Sequence, residues 1–171
     1  MKTRSGFVSN SSSSSFIIGF NKDPMNKDNL AEEMGDCETI FNEWSHGRVY
    51  SAEEIVEKLH EKLLRVGPAT SSELLNELRS MIPWSAYENA TGYPVFEEYD
   101  LRDPVQEAEY YRLSDEWTDQ YLASDPRTQA IRNSLENKHV YIVEYDDDGP
   151  DAVFETGKPF KNLNATKVSH H

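Results

Sequence analysis

Asp146, Asp147 and Asp148 stand in a row before Gly149, and the sequence ends on His170 and His171. Clustered carboxylates are hard oxygen ligands that suit Mg²⁺, Mn²⁺ or Ca²⁺. The two imidazoles would join them if the last strand lay beside the segment carrying the aspartates. The complete calcium-loop spacing is absent, and Asp before Gly serves equally as turn chemistry, because Asp tolerates the backbone angles of a tight turn. A divalent ion is the one cofactor this pattern suggests. A second constellation is Asn10 with Ser11, Ser12, Ser13, Ser14 and Ser15. Successive amides and hydroxyls beside a strand can cradle phosphate or another anion. The phosphate-loop pattern nevertheless requires a Gly-Lys-Ser/Thr ending that this tract lacks, and no Gly-x-Ser-x-Gly nucleophile elbow occurs. Cys37 lies between Asp36 and Glu38, which disfavour its thiolate. His46, His60 and His139 are too scattered to make a ligand motif.

The third constellation is electrostatic. The formal net charge is −14, and it is concentrated. Residues 93–125 hold ten carboxylates against Arg102 and Arg112, and residues 144–155 hold six with no base, so these two segments account for the whole excess. Such a surface repels nucleic acid and favours cations or basic proteins. Tyr99 and Tyr110 alternate with Glu97, Glu98, Glu107, Asp115, Glu116 and Asp119. Aromatic rings anchor interfaces and carboxylates steer a basic partner toward them. The plainer alternative is a solvated helix face whose rings point inward.

These groups need elements to position them. With 171 residues, 37% hydrophobic and 28% charged, the chain is long enough for one domain with its own core, read here as 1–171. A single cysteine excludes an internal disulfide framework, and no apolar run approaches a membrane span or a signal segment. The expected location is the cytoplasm. Phe16 to Phe20 reads as a buried strand over 15–20, with residues 1–14 as an ordered serine-rich arm or loop. Residues 28–35 suit a short helix capped by Asp28, and 38–44 suit either a strand or a helical turn. Ser51 with Glu54 and Thr70 with Glu73 are capping boxes that open two helices, predicting a helical hairpin over 52–82. Residues 83–102 have no period and read as an irregular aromatic loop. Asp103-Pro104 and Asp125-Pro126 open two more helices, the first with Val105, Ala108, Tyr111, Trp117 and Tyr121 as inward residues. Residues 139–169 change to strand chemistry: His139 to Tyr145, an aspartate turn, a return strand over 151–156, and an edge strand from Thr166 to Ser169. The expected class is α+β, a small sheet formed from N- and C-terminal strands and packed with about four central helices.

The opening Arg4-Ser5-Gly6-Phe7-Val8-Ser9-Asn10, the five serines and Phe16 resemble the start of small proteins of tailed bacteriophages and some bacteria. Glu144-Tyr145-Asp146-Asp147-Asp148-Gly149, Glu155-Thr156-Gly157, Phe160, Leu163 and Val168-Ser169-His170-His171 resemble their ending. The resemblance covers about a third of the chain and implies a viral or prophage origin, with the host cytoplasm as location. It brings no reaction with it. The sequence therefore points first to an acidic accessory protein that binds a basic host or viral protein, by resemblance to nucleic acid in its charge. A metal- or phosphate-binding enzyme or sensor is the second reading, and a structural virion component the third.

Overall fold

The computed structural model describes residues 14–35, 40–42, 48–145, 153–154 and 157–169. Its centre is strand β1, Ser14–Phe20, in which all seven residues are buried. The uninterrupted apolar run from Phe16 to Phe20 within it suits a strand covered on both faces. Strands β4, His139–Tyr145, and β5, Asn164–Ser169, flank it antiparallel in the order β4-β1-β5. Phe16 pairs with Val143 on one side and Lys167 on the other, and Ile18 with Tyr141 and Ala165. The strands from the two ends of the sequence thus share one sheet, and the α+β expectation holds.

The period of two along β1 divides the interior. Phe16, Ile18 and Phe20 join Tyr141, Val143 and Tyr145 in one cluster, whereas Ile17 faces a second cluster with Leu78, Leu122, Ile131 and Leu135. Helix α2, Ala52–Val66, buries Ile55, Leu59 and Leu63 in the first cluster. Helix α3, Ser71–Ser80, buries Leu78 in the second. Both capping boxes form, with Ser51 accepting from the Glu54 amide and Thr70 from the Glu73 amide. The helices are nevertheless divided between the two faces of the sheet instead of packing as the expected hairpin. Their short link passes the free edge of β4, where Ala69 N–H donates to the Val140 carbonyl at 2.8 Å. A four-residue link is compatible with either arrangement, and burial of two separate apolar stripes decides between them.

Helix α1, Lys27–Met34, covers the first cluster with Leu30 and Met34. Its cap is Asn26, whose side chain accepts from the Asp28 and Asn29 amides, so the boundary lies two residues ahead of the expected Asp28 cap. His60, on α2, is buried, with Nε2 3.0 Å from the Met25 carbonyl. Short strands β2, Ile40–Asn42, and β3, Arg48–Tyr50, form a separate antiparallel pair. Helix α4, Trp84–Glu88, and a 3₁₀ turn at Phe96–Glu98 break up the expected aromatic loop. Helix α5, Pro104–Ser124, is capped by Asp103, and α6, Pro126–Leu135, by Asp125. Gly19 lets α6 approach β1: a Cβ there would lie 2.8 Å from Leu135 Cδ2.

Two further expectations fail. The return strand over 151–156 is one: residues 151, 152, 155 and 156 lie outside the described residues, and Val153 and Phe154 are buried in a 3₁₀ turn within the first cluster. Apolar demand for those two side chains overrides the hairpin signal. The inward residues of α5 are the other. Thr118 and Leu122 are buried and Trp117 and Tyr121 half-buried, but Val105, Ala108 and Tyr111 are exposed. The first half of α5 projects past the second cluster.

Candidate functional site

The serine tract does not present an anion cradle in its described part. Ser14 and Ser15 belong to β1 and are buried, and Ser15 Oγ donates to Glu77 Oε2 at 2.8 Å. A phosphate beside that carboxylate would be repelled. Asn10, Ser11, Ser12 and Ser13 lie outside the described residues, as do Cys37, Asp146, Asp147, Asp148, His170 and His171. What the ladder does fix is where their neighbours stand. Tyr145 and Ser169 both pair with Ser14, from opposite sides, so the chain meets that end of the sheet three times. At about 4.8 Å per strand spacing, Tyr145 and Ser169 stand about 10 Å apart. Among the described residues no three His, Cys, Asp or Glu side chains are grouped to hold a metal ion.

The acidic residues of 93–125 separate into two sets. Asp115 and Asp119 both accept from Arg79, at 2.9 and 2.8 Å, which joins α5 to α3. The Asp119 hydrogen bond leads the effects that raise the pKa of this guanidinium. Glu116 and Glu109 flank Arg112 on the same helix, at 2.5 and 2.7 Å. Three of the expected partner-binding carboxylates, Asp115, Glu116 and Asp119, are therefore engaged within the chain. Glu97, Glu98 and Glu107 are exposed and enter no ion pair among the described residues.

Beside this second set lies a groove of about 700 Å³ between α4, the 93–97 segment and α5. Tyr87, Tyr93 and Trp117 meet at its base, with ring centroids 5.1–5.2 Å apart. Such edge-on and tilted arrangements are favourable for aromatic quadrupoles. Tyr110 closes the other end, edge-on to Phe96 at 5.9 Å and to Tyr99 at 5.5 Å. Burial, reinforced by Tyr93, pushes the Tyr110 phenol up to about 12. Burial also raises the pKa of Tyr87. Tyr93 Oη and Ser114 Oγ share a hydrogen bond at 3.2 Å, which sets the ring across the groove. At the lip, Trp84 is 74% exposed, Phe96 56% and Val95 51%. Trp84 Nε1 donates to Glu88 at 2.9 Å, and Glu97 stands on the opposite lip.

Tyr99 and Tyr110 are legible as candidates, and Tyr110 does line the groove. Trp84, Tyr87, Glu88 and Val95 are not, because residues 83–102 show no period that marks α4. The available signal was Trp and Tyr three apart after a proline, the spacing of one helical face starting at N1. Among the described residues the arrangement has no nucleophile with an adjacent base, so its chemistry is that of binding: two exposed rings, Trp84 and Phe96, over three half-buried phenols, edged by carboxylates. No helix among the described residues is long and apolar enough to cross a membrane. No protein-family model matches the chain, and comparison with curated proteins and with solved structures finds no match.

Proposed function

We propose that the chain is a binding protein for a basic protein, taken through the aromatic groove and its carboxylate lip. The observation that carries this reading is the coincidence of exposed Trp84, Phe96 and Val95 with Glu97 and its neighbour Glu98, exposed carboxylates that enter no ion pair among the described residues. Rings of this kind accept a guanidinium or ammonium over their faces, and nearby carboxylates strengthen the attraction. The lip charges would govern the association rate and its salt dependence, while the rings would hold the complex. The partner is proposed as a host or viral basic protein, following the bacteriophage resemblance. Pairing of Asp115, Glu116 and Asp119 with Arg79 and Arg112 favours the groove over a phosphate-like array along α5 as the contact surface.

The test compares the wild-type chain with two double variants as bait for basic proteins in bacterial lysate, at low and high salt. Trp84→Ala with Phe96→Ala should abolish retention of a salt-eluted partner, since buried aromatic anchors are each worth about 2 kcal/mol or more. Glu97→Gln with Glu98→Gln should weaken it and reduce its salt dependence. Retention unaltered by both variants would remove the groove from the mechanism.

A further inference from the structure

The outer edge of β4 carries a row of open backbone groups. In an antiparallel ladder, residues alternate between pairs that exchange hydrogen bonds and pairs whose N–H and C=O point away from the neighbouring strand. The Val140 carbonyl accepts from Ala69 N–H, so Val140 faces outward from β1. By the period of two, Ile142 and Glu144, opposite Ile17 and Ser15, face outward as well. Ala69 occupies the first outward position. The outward groups of Ile142 and Glu144 have no hydrogen-bond partner among the described residues. They open into a groove of about 570 Å³ whose walls are the two helices that the link divides between the faces. Lys62, Arg65 and Val66 stand on the α2 wall, Val66 42% exposed, and Glu73, Asn76 and Glu77 stand on the α3 wall. At Gly67, which lines the groove, an added Cβ would meet nothing within 4 Å among the described residues.

Free edges are ordinarily blunted by Lys, Pro, a bulge or a covering element. Here the outward positions are Val140, Ile142 and Glu144, none of which blocks pairing, and among the described residues only Val140 has a backbone partner. The walls also specify what would pair. Glu144 projects to the same face of the sheet as Ile142, the face on which α3 packs, so one set of alternate side chains in an added strand would meet carboxylates. The other set would meet Val66 on α2 beside Lys62 and Arg65, whose charges disfavour a second row of basic residues and whose aliphatic stems accept apolar ones. We propose that this edge takes one extended segment of a partner as a fourth strand, with Lys or Arg toward Glu144 and α3 and Val or Ile toward α2. Main-chain hydrogen bonds supply the attachment and the alternating side chains the selectivity. The site is separate from the aromatic groove and does not depend on it.

The peptide acetyl-Lys-Val-Lys-Val-Lys-Val-amide provides the test, with two derivatives N-methylated on either all lysine or all valine amides. In an antiparallel added strand, residues whose N–H faces β4 carry side chains on the Ile142 and Glu144 face, so the lysine amides make the contacts. Methylating them should weaken binding by about tenfold or more, and methylating the valine amides should change it by no more than about twofold. The ¹⁵N-resolved amide signals of Ile142 and Glu144 should shift on titration. In the chain, Glu144→Pro removes an outward N–H at an edge position that tolerates proline and should abolish binding, whereas Glu144→Gln keeps the N–H and should weaken it only modestly. Trp84→Ala with Phe96→Ala should leave peptide affinity unaltered. Equal loss from both methylations, no saturable binding, or loss in the groove variant alone would each overturn strand addition at this edge.

Discussion

Neutralising Asp115 and Asp119 together should destabilise the fold, although it removes two negative charges from a chain of net charge −14. Both carboxylates accept from Arg79, whose side chain is 27% exposed, while the aspartates are 63% and 55% exposed. Partly exposed ion pairs of this kind contribute about 0.3–1 kcal/mol each after solvent screening. Relief of general repulsion acts the other way and is smaller, because charges farther apart than about 10 Å are screened at ordinary salt. The net expectation for Asp115→Asn with Asp119→Asn is a loss of about 1 kcal/mol. Changing Arg79 itself would be a poorer probe, since its Nε is buried without a partner and its removal would relieve that cost. Urea unfolding followed by tryptophan fluorescence reads the effect. With a slope of about 2 kcal/mol per molar, the midpoint should fall by about 0.5 M. Glu97→Gln with Glu98→Gln is the matched control and should leave the midpoint unchanged or raised. A midpoint that rises or stays fixed in the aspartate variant would refute the clamp between α3 and α5, and would return these carboxylates to the pool available for a partner.

Three further outcomes follow from the same geometry. Ile55→Val in the first cluster and Ile131→Val in the second should each cost about 0.5–1.5 kcal/mol in urea unfolding. Their effects should add within about 0.5 kcal/mol, because only the sheet joins the clusters; strong coupling would mean one continuous core. Asp125 holds the start of α6 by accepting from the Thr128 amide at 2.8 Å and from its hydroxyl, and these bonds lower its pKa. Its contribution is therefore present above the unfolded carboxyl value of about 3.9 and is lost as pH falls through the lower folded value, so Asp125→Asn should flatten the stability curve below about pH 4. Tyr110, pushed up to about 12, keeps its proton in the folded chain where the unfolded chain has lost it. Stability should thus fall as pH rises between about 10 and 12, and Tyr110→Phe should remove the latest phenol from an absorbance titration at alkaline pH.

Local signals carried the helix starts. Ser51, Thr70, Asp103 and Asp125 each open the helix expected of them, because a cap is satisfied by the next three amides and needs no tertiary information. The central strand was legible for a similar reason, since five consecutive residues beginning at Phe16 lack any polar side chain and suit a strand covered on both faces. Errors arose where two candidate packings compete. The link from Gly67 to Thr70 is short enough for a hairpin, yet Leu59 and Leu78 face different sides of the sheet. Val153 and Phe154 have strand propensity, yet burial against Phe160 takes precedence over pairing with β4. The groove was missed because Tyr87 and Trp117 are thirty positions apart, and no periodicity within 83–102 shows that α4 folds back onto α5.

Those packing choices also bear on function. Were 151–156 the return strand of a hairpin, β4 would have its outer neighbour and Ile142 and Glu144 would be closed. Were α2 and α3 packed on each other, there would be no slot between them. Dividing the helices between the two faces and sending Val153 and Phe154 into the first cluster leaves an edge that, beyond Ala69, no described residue completes. Charge follows a parallel logic. Arg79 and Arg112 neutralise the carboxylates in the middle of α5, where α3 packs, and the uncompensated ones remain beside Phe96, where the rings emerge. Acidity that looked uniform along 93–125 is therefore structural toward the core and available toward the groove, and a basic partner would be drawn to the end of α5 that projects beyond the second cluster.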